Sequence, residues 1–141
     1  MEHSTAERLL EAAMAAREKA YSPLSGFCVG AALLTADGKI YEGCNIEVSG
    51  MTASCCAERS AMFQAVVAGE RNFTAIAIVG SKAGEPVTAS CAPCGVCRQV
   101  LAEFCNLEHF EIVLTDQTQK AGYRVYTLQQ LLPLAFRRKD L

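Results

Sequence analysis

Cys56-Ala57-Glu58-Arg59 and, further along, Pro93-Cys94-Gly95-Val96-Cys97-Arg98-Gln99 are the stretches on which the reading of this chain turns. They offer thiolates at Cys56, Cys94 and Cys97, with a carboxylate two residues after the first. A zinc ion held by three protein ligands keeps a fourth position for water, which is the layout of a catalytic site. Cys94 and Cys97 are three apart and share one helical face, so both can reach one ion. Cys56 precedes a run of helix formers, and helix N-termini favour thiolates and lower their pKa. Bringing two such helix starts together at the carboxyl edge of sheet strands would complete the ligand set.

With three thiolate ligands present, Glu58 has no need to bind the ion. A carboxylate beside metal-activated water can accept its proton and pass it on. The centre would carry a formal charge of −1, so cationic neighbours matter. Arg59 is the better candidate to donate hydrogen bonds to the sulfurs; Arg98, next to Cys97, is the second, and either could instead be a solvated helix residue. Other readings of Cys94-Gly95-Val96-Cys97 exist. A thioredoxin-like redox pair leaves Cys56 and Glu58 without a role. A structural zinc knuckle or an iron–sulfur cluster needs a fourth ligand. His3 and His109 are remote from the motifs, but Cys55 or Cys91 could serve. Cys55 could also replace Cys56, although only Cys56 sits two residues before Glu58.

Composition narrows the class. The chain has 141 residues, 51% hydrophobic and 20% charged, which predicts one globular domain over residues 1–141. Net charge is −2, and the longest basic run is Arg137-Arg138-Lys139. Nucleic-acid binding normally shows a clustered basic footprint, so a small-molecule ligand is expected and a nucleic-acid partner is not. No apolar run approaches the roughly 18 residues of a membrane span. The start, MEHSTAERLLEAA, reads as an amphipathic helix rather than a signal segment, which predicts no membrane partner and a cytoplasmic location. Eight cysteines in such a chain point to metal binding more than to disulfides. Cys28, Cys44, Cys55, Cys91 and Cys105 read as small buried apolar residues or surface thiols.

Periodicity supplies the architecture. A capping box at Ser4-Thr5-Ala6-Glu7 opens a helix that Ser22-Pro23 stops. Strands are expected at 27–35 and 40–47 around an Asp37-Gly38 hairpin turn, with a loop over 48–54. Helix 56–68 ends before Gly69. A strand at 75–79, a loop over 80–92 and a helix from Pro93 to Phe104 follow. Strands at 110–114 and 123–126 and a short helix from Leu128 to Leu132 complete the chain. The order α-β-β-α-β-α-β-β-α predicts an α/β fold, a three-layer α/β/α sandwich around a five-stranded mixed sheet.

The motifs resemble the small zinc-dependent cytidine deaminases of the short-chain, homotetrameric type. A ligand-x-Glu element with a distant Pro-Cys-x-x-Cys is the zinc-deaminase signature, and a three-Cys ligand set is a variant of it. The similarity also includes Tyr21 to Leu33, Gly43-Cys44-Asn45-Ile46-Glu47 and Leu131 to Phe136, so it covers nearly the whole chain. It implies one Zn²⁺ per chain on Cys56, Cys94 and Cys97, with Glu58 as proton shuttle. It implies that Asn45 and Glu47 bind the ribose 3′-hydroxyl, that Phe27 packs near the base, and that the Ala57 backbone meets the pyrimidine edge. Phe136 would close the base pocket of a neighbouring subunit. The expected reaction is hydrolytic removal of the amino group at C4 of cytidine and 2′-deoxycytidine, a step of pyrimidine salvage. Family members commonly continue past Asn-Ile-Glu with Asn, small residues and a Tyr that reaches a neighbouring site. Here Val48-Ser49-Gly50-Met51 stands instead, which leaves open a modified pyrimidine nucleoside or blasticidin-like substrate. The rival from another class is a non-catalytic zinc or thiol-redox protein.

Overall fold

A computed structural model describes all 141 residues. Helix α1 (His3–Arg17) is followed by strands β1 (Phe27–Thr35) and β2 (Ile40–Cys44), helix α2 (Ala57–Val67) and strand β3 (Phe73–Lys82). Helix α3 (Gly95–Phe104), strands β4 (Glu111–Thr115) and β5 (Tyr123–Thr127) and the short helix α4 (Leu128–Leu131) complete the order. The strands form one five-stranded sheet in the order β2-β1-β3-β4-β5. Only β3 and β4 run parallel, so the expected mixed sheet is present.

Side-chain alternation divides the core between two faces, as the two-residue period of a strand requires. On one face, Ala32, Ala75, Ala77 and Val79 pack against Ala6, Leu9 and Ala13 of α1. On the other, Leu33, Ile76, Ile78 and Ile112 meet Met62 of α2, Leu101 of α3 and Leu128 of α4. The result is the three-layer sandwich. Two glycines set how closely helices approach. A Cβ on Gly30 would fall 2.0 Å from the Ala13 carbonyl oxygen of α1, and one on Gly43 would fall 2.4 Å from the Ala61 nitrogen of α2. No helix is long and apolar enough to cross a membrane.

Several boundaries differ from the sequence reading, some of them because distant residues intervene. The Ser4 capping box does not form: α1 opens at His3, with Glu2 at its cap and no side-chain cap bond. The His3 ring instead stacks on Tyr123 and is hydrogen-bonded to its hydroxyl at 2.7 Å. β2 stops at Cys44 rather than Glu47, because the Asn45 side chain turns back onto β1. β3 runs on to Lys82, through residues expected in a loop, since Phe27, Cys28 and Val29 pair with Lys82, Ser81 and Gly80. Pro93 precedes α3 rather than lying in its first turn, and Cys94 takes the cap position. The expected 48–54 loop contains a 3₁₀ turn at Met51–Ala53.

Candidate metal centre and active site

Topology places the motif residues. α2 and α3 each precede one of the two parallel strands and pack back along the sheet. Their N-termini therefore meet where β3 and β4 end, the edge at which α/β sheets form pockets. Cys56 and Cys94 are the N-cap residues of α2 and α3, both with extended backbone, and Cys97 lies in the first turn of α3. The Cys56 and Cys94 sulfurs are 3.7 Å apart, those of Cys94 and Cys97 3.5 Å, and all three lie within 4.8 Å of one another. Zinc bound tetrahedrally at about 2.3 Å sets its sulfurs about 3.8 Å apart. The donor set therefore fits one zinc ion. Cys55 and Cys91, the other candidate ligands, are outside the cluster. Burial raises the pKa of both thiols, that of Cys91 to about 11.

Charge within the cluster is uneven. Hydrogen bonding from Cys97, then Arg59, pulls Cys56 down to about 5, while the bond to Cys56, then burial, pushes Cys97 up. Arg59 donates from Nη2 to the Cys56 sulfur at 3.5 Å and to the Ser54 carbonyl at 3.4 Å. The bond to Cys56 raises the guanidinium pKa further. Arg59 is thus half-buried against the sulfur. Glu58, in the first turn of the same helix, is only 4% exposed, and burial raises its pKa. A buried carboxyl group with an elevated pKa beside a metal site is suited to taking up and releasing a proton.

A second group surrounds the start of β1. Asn45 accepts from the Val29 amide at 2.8 Å and donates to the Phe27 carbonyl at 2.8 Å. Glu47 accepts from the Leu24 and Ser25 amides at 2.9 and 3.0 Å and from the Ser25 hydroxyl at 2.5 Å. These bonds, the Ser25 hydroxyl foremost, hold its carboxyl below the usual range. Ile46, between them, exchanges two 2.9 Å backbone bonds with Cys55, which ties this group to the residue preceding Cys56. Phe27 is half-buried, and Ala57 is fully buried as the first residue of α2. Phe136 joins neither group. It is 58% exposed, in the C-terminal tail beside Gln99 and Ala102 of α3. The cleft of about 370 Å³ between β2 and α2, lined by Lys19, Tyr41 and Gln64 among others, contains none of the motif cysteines. The donor chemistry, rather than the depth of a hollow, marks the site.

Three polar contacts were not legible from the motifs. Ser25 and the Leu24 amide clamp Glu47, for which Ser25-Gly26 as a turn was the available signal. Arg98 is not a solvated helix residue: it donates to the Pro93 carbonyl at 2.8 Å and the Leu131 carbonyl at 2.6 Å. Arg17, 6% exposed in the last turn of α1, donates to the Ser81, Lys82 and Glu85 carbonyls and so holds the start of the loop that leads to Cys94. Sequence spacing gives no sign of such a contact.

An open three-thiolate zinc site with a buried carboxyl group beside it, at the edge of a mixed sheet, defines a hydrolytic zinc enzyme. Comparison with known proteins identifies which. A family model described as the cytidine and deoxycytidylate deaminase zinc-binding region matches residues 3–112. The chain is 49% identical to the cytidine deaminase of Sporosarcina psychrophila, over 96% of this chain and 93% of that one. It is 41% identical to the cytidine deaminase of Halalkalibacterium halodurans, over 96% of both. The crystal structure of cytidine deaminase from Burkholderia pseudomallei superposes with a TM-score of 0.81 at 48% identity, covering 96% of this chain and all of that one. That from Mycobacterium tuberculosis gives 0.77 at 35% identity, over 92% of this chain and 95% of that one. The chain belongs to the cytidine deaminase family.

Proposed function

We propose that this protein converts cytidine and 2′-deoxycytidine to uridine and 2′-deoxyuridine with release of ammonia, as one catalytic domain spanning residues 1–141. The observation that carries this is the trio of sulfurs 3.5–3.7 Å apart along its two measured edges with buried Glu58 beside it. Zinc held by Cys56, Cys94 and Cys97, one ion per chain, supplies Lewis-acid activation of the attacking water. Glu58 takes a proton from that water as the oxygen adds to C4 and gives it to N3. It then takes the remaining proton from the hydroxyl added at C4 and gives it to the departing amine as the C4–N4 bond breaks, leaving the C4 carbonyl and ammonia. Arg59 balances the negative thiolate cluster by its bond to Cys56. Ala57 opens α2, where backbone N–H groups lack intrahelical partners, and so presents backbone to the pyrimidine edge. Phe27 packs against the base. Asn45 keeps a second amide hydrogen and lone pair, and the Glu47 Oε2 atom an unused lone pair, for the ribose 3′-hydroxyl.

The assembly proposed is a homotetramer in which Phe136 closes a neighbour's base pocket. Leu134 and Phe136 support it, being 104% and 58% exposed in an apolar tail that a partner would cover. The setting proposed is cytoplasmic pyrimidine salvage. Met51, 60% exposed where the resembled family commonly has a Tyr, favours a second reading: a modified pyrimidine nucleoside or blasticidin-like compound as preferred substrate. The test is ultraviolet monitoring of cytidine with zinc-loaded protein, before and after chelation, alongside Glu58→Gln. Turnover should vanish on chelation, and in the variant it should fall about 10²–10⁴-fold with zinc retained. Near-normal turnover in Glu58→Gln would exclude this mechanism. Faster ammonia release from a modified nucleoside than from cytidine would establish the second reading.

A further inference from the structure

The tail that carries Phe136 packs only in part: Leu131, Leu132 and Ala135 lie against the core, while Leu134, Phe136 and Leu141 are exposed. Leu134 adopts φ +54, a left-handed conformation uncommon for a branched residue. The polar contacts of the tail come from α3. The Arg98 guanidinium donates to the Leu131 carbonyl at 2.6 Å, and the Gln99 amide donates to the carbonyl of Phe136 itself at 2.7 Å. One turn on, Glu103 is ion-paired with Arg138. Three contacts from one helix therefore hold the tail at positions 131, 136 and 138. The same helix opens with Cys94 and Cys97, and Arg98 also donates to the carbonyl of Pro93, the residue before Cys94.

We infer that Gln99 and Arg98 are positioning residues for Phe136, so that α3 serves two sites at once, holding zinc in its own chain and delivering Phe136 to the base pocket of a neighbour. The inference rests on the composite pocket proposed above. Gln99 is the sharper element, because its bond is to the backbone of the residue it aims and its exposed side chain has no core role. Arg98 couples that delivery to the ligand loop: a shift of Pro93 on one side and of Leu131 on the other share one guanidinium.

The test is a double-mutant cycle on the zinc-loaded protein with Gln99→Glu, which keeps the shape but removes the donor, and Phe136→Ala. Gln99→Glu should raise KM for cytidine about three- to tenfold, the scale of one net hydrogen bond, with kcat within about twofold. Zinc content and sedimentation should be unchanged. In the Phe136→Ala background the same substitution should have no further effect, because the residue it aims is gone. Assembling Gln99→Glu chains with Glu58→Gln chains, whose tails are intact, should return part of the active sites to the wild-type KM. A wild-type KM in Gln99→Glu while Phe136→Ala raises it overturns the positioning role alone. Equal effects of Gln99→Glu in both backgrounds, or no rescue in mixed assemblies, also overturn it. If Phe136→Ala itself leaves KM unchanged, the composite pocket fails and the positioning role with it.

Discussion

Gly43→Ala tests how the zinc site is positioned, because Gly43 itself is assigned no contact with metal or substrate. Gly43 is in β2, paired with Ala31, directly beneath α2. A Cβ there would stand 2.4 Å from the Ala61 nitrogen, 2.5 Å from the Ala57 carbonyl oxygen and 2.9 Å from the Ala61 Cα. Comfortable contact begins at about 3.5 Å, so α2 must recede by about 1 Å. All three atoms are backbone, so no rotamer change absorbs the clash. Overpacking of this kind costs about 1–3 kcal/mol, which for a chain of this size lowers Tm by roughly 3–12 °C. The larger effect should be functional. The displaced turn carries Cys56 and Glu58, and a misplacement of about 1 Å at reacting groups can cost about 10²-fold in rate. Calorimetry, metal content and kcat/KM should be compared with Gly50→Ala, whose Cβ meets nothing within 4 Å and whose φ is −78°. If Gly43→Ala matches that control in all three, the helix is not seated on Gly43 and the positioning argument is wrong.

Two further outcomes follow from the geometry. Cys94→Ala or Cys97→Ala should lose both zinc and activity, whereas Cys55→Ala, outside the sulfur cluster, should keep both; zinc loss in Cys55→Ala with retention in Cys56→Ala would reverse the ligand assignment. Glu47→Gln should lower the Tm of the zinc-free protein, because two amides and a hydroxyl point at its carboxylate. The folded-state pKa of Glu47 is lowered, so its contribution is complete above the ordinary value of about 4.3 and is lost as pH falls through the folded one. The Tm gap between wild type and variant should therefore be open at pH 7 and close on acidification below about 4. A gap that stays constant over that range would show that the carboxylate charge is not what these donors hold.

What the sequence disclosed is divided by the range of the interactions involved. Cys56, Glu58, Cys94 and Cys97 are legible because their spacing within a helix turn is itself the chemistry. The five strands are legible because apolar runs bounded by turn residues, such as Phe27–Thr35, are local signals. The ends of elements are not, because distant partners decide them. Ser4 satisfies every local rule for a cap, yet α1 begins one residue earlier, at His3, whose ring meets Tyr123 far along the chain. Gly80-Ser81-Lys82 has loop composition but becomes strand, because β1 offers it partners. Arg17 and Arg98 belong to the same class. An arginine in a helix turn looks solvated until the carbonyls it serves, 64 positions away for Arg17 and Ser81 and 33 for Arg98 and Leu131, have been brought to it.

These long-range contacts explain how a mobile type of chemistry is carried by a small chain. The ligands come from two helices, so the sulfur geometry depends on where the sheet holds each helix. α2 is held from below by the absence of a side chain at Gly43. α3 is held from its start by Arg98 on the Pro93 carbonyl, and the strand end that leads towards it is held by Arg17. Each constraint acts on backbone, and backbone is what a helix N-terminus needs fixed if its cap residue is to be a ligand. The Cys55–Ile46 pairing extends the same logic to the Asn45 and Glu47 side, since it ties the residue before the first ligand to the segment proposed to hold the ribose. The residues proposed for metal, proton transfer and sugar thus share one hydrogen-bonded frame, so perturbing any of these supports should move KM, zinc content and kcat together rather than singly.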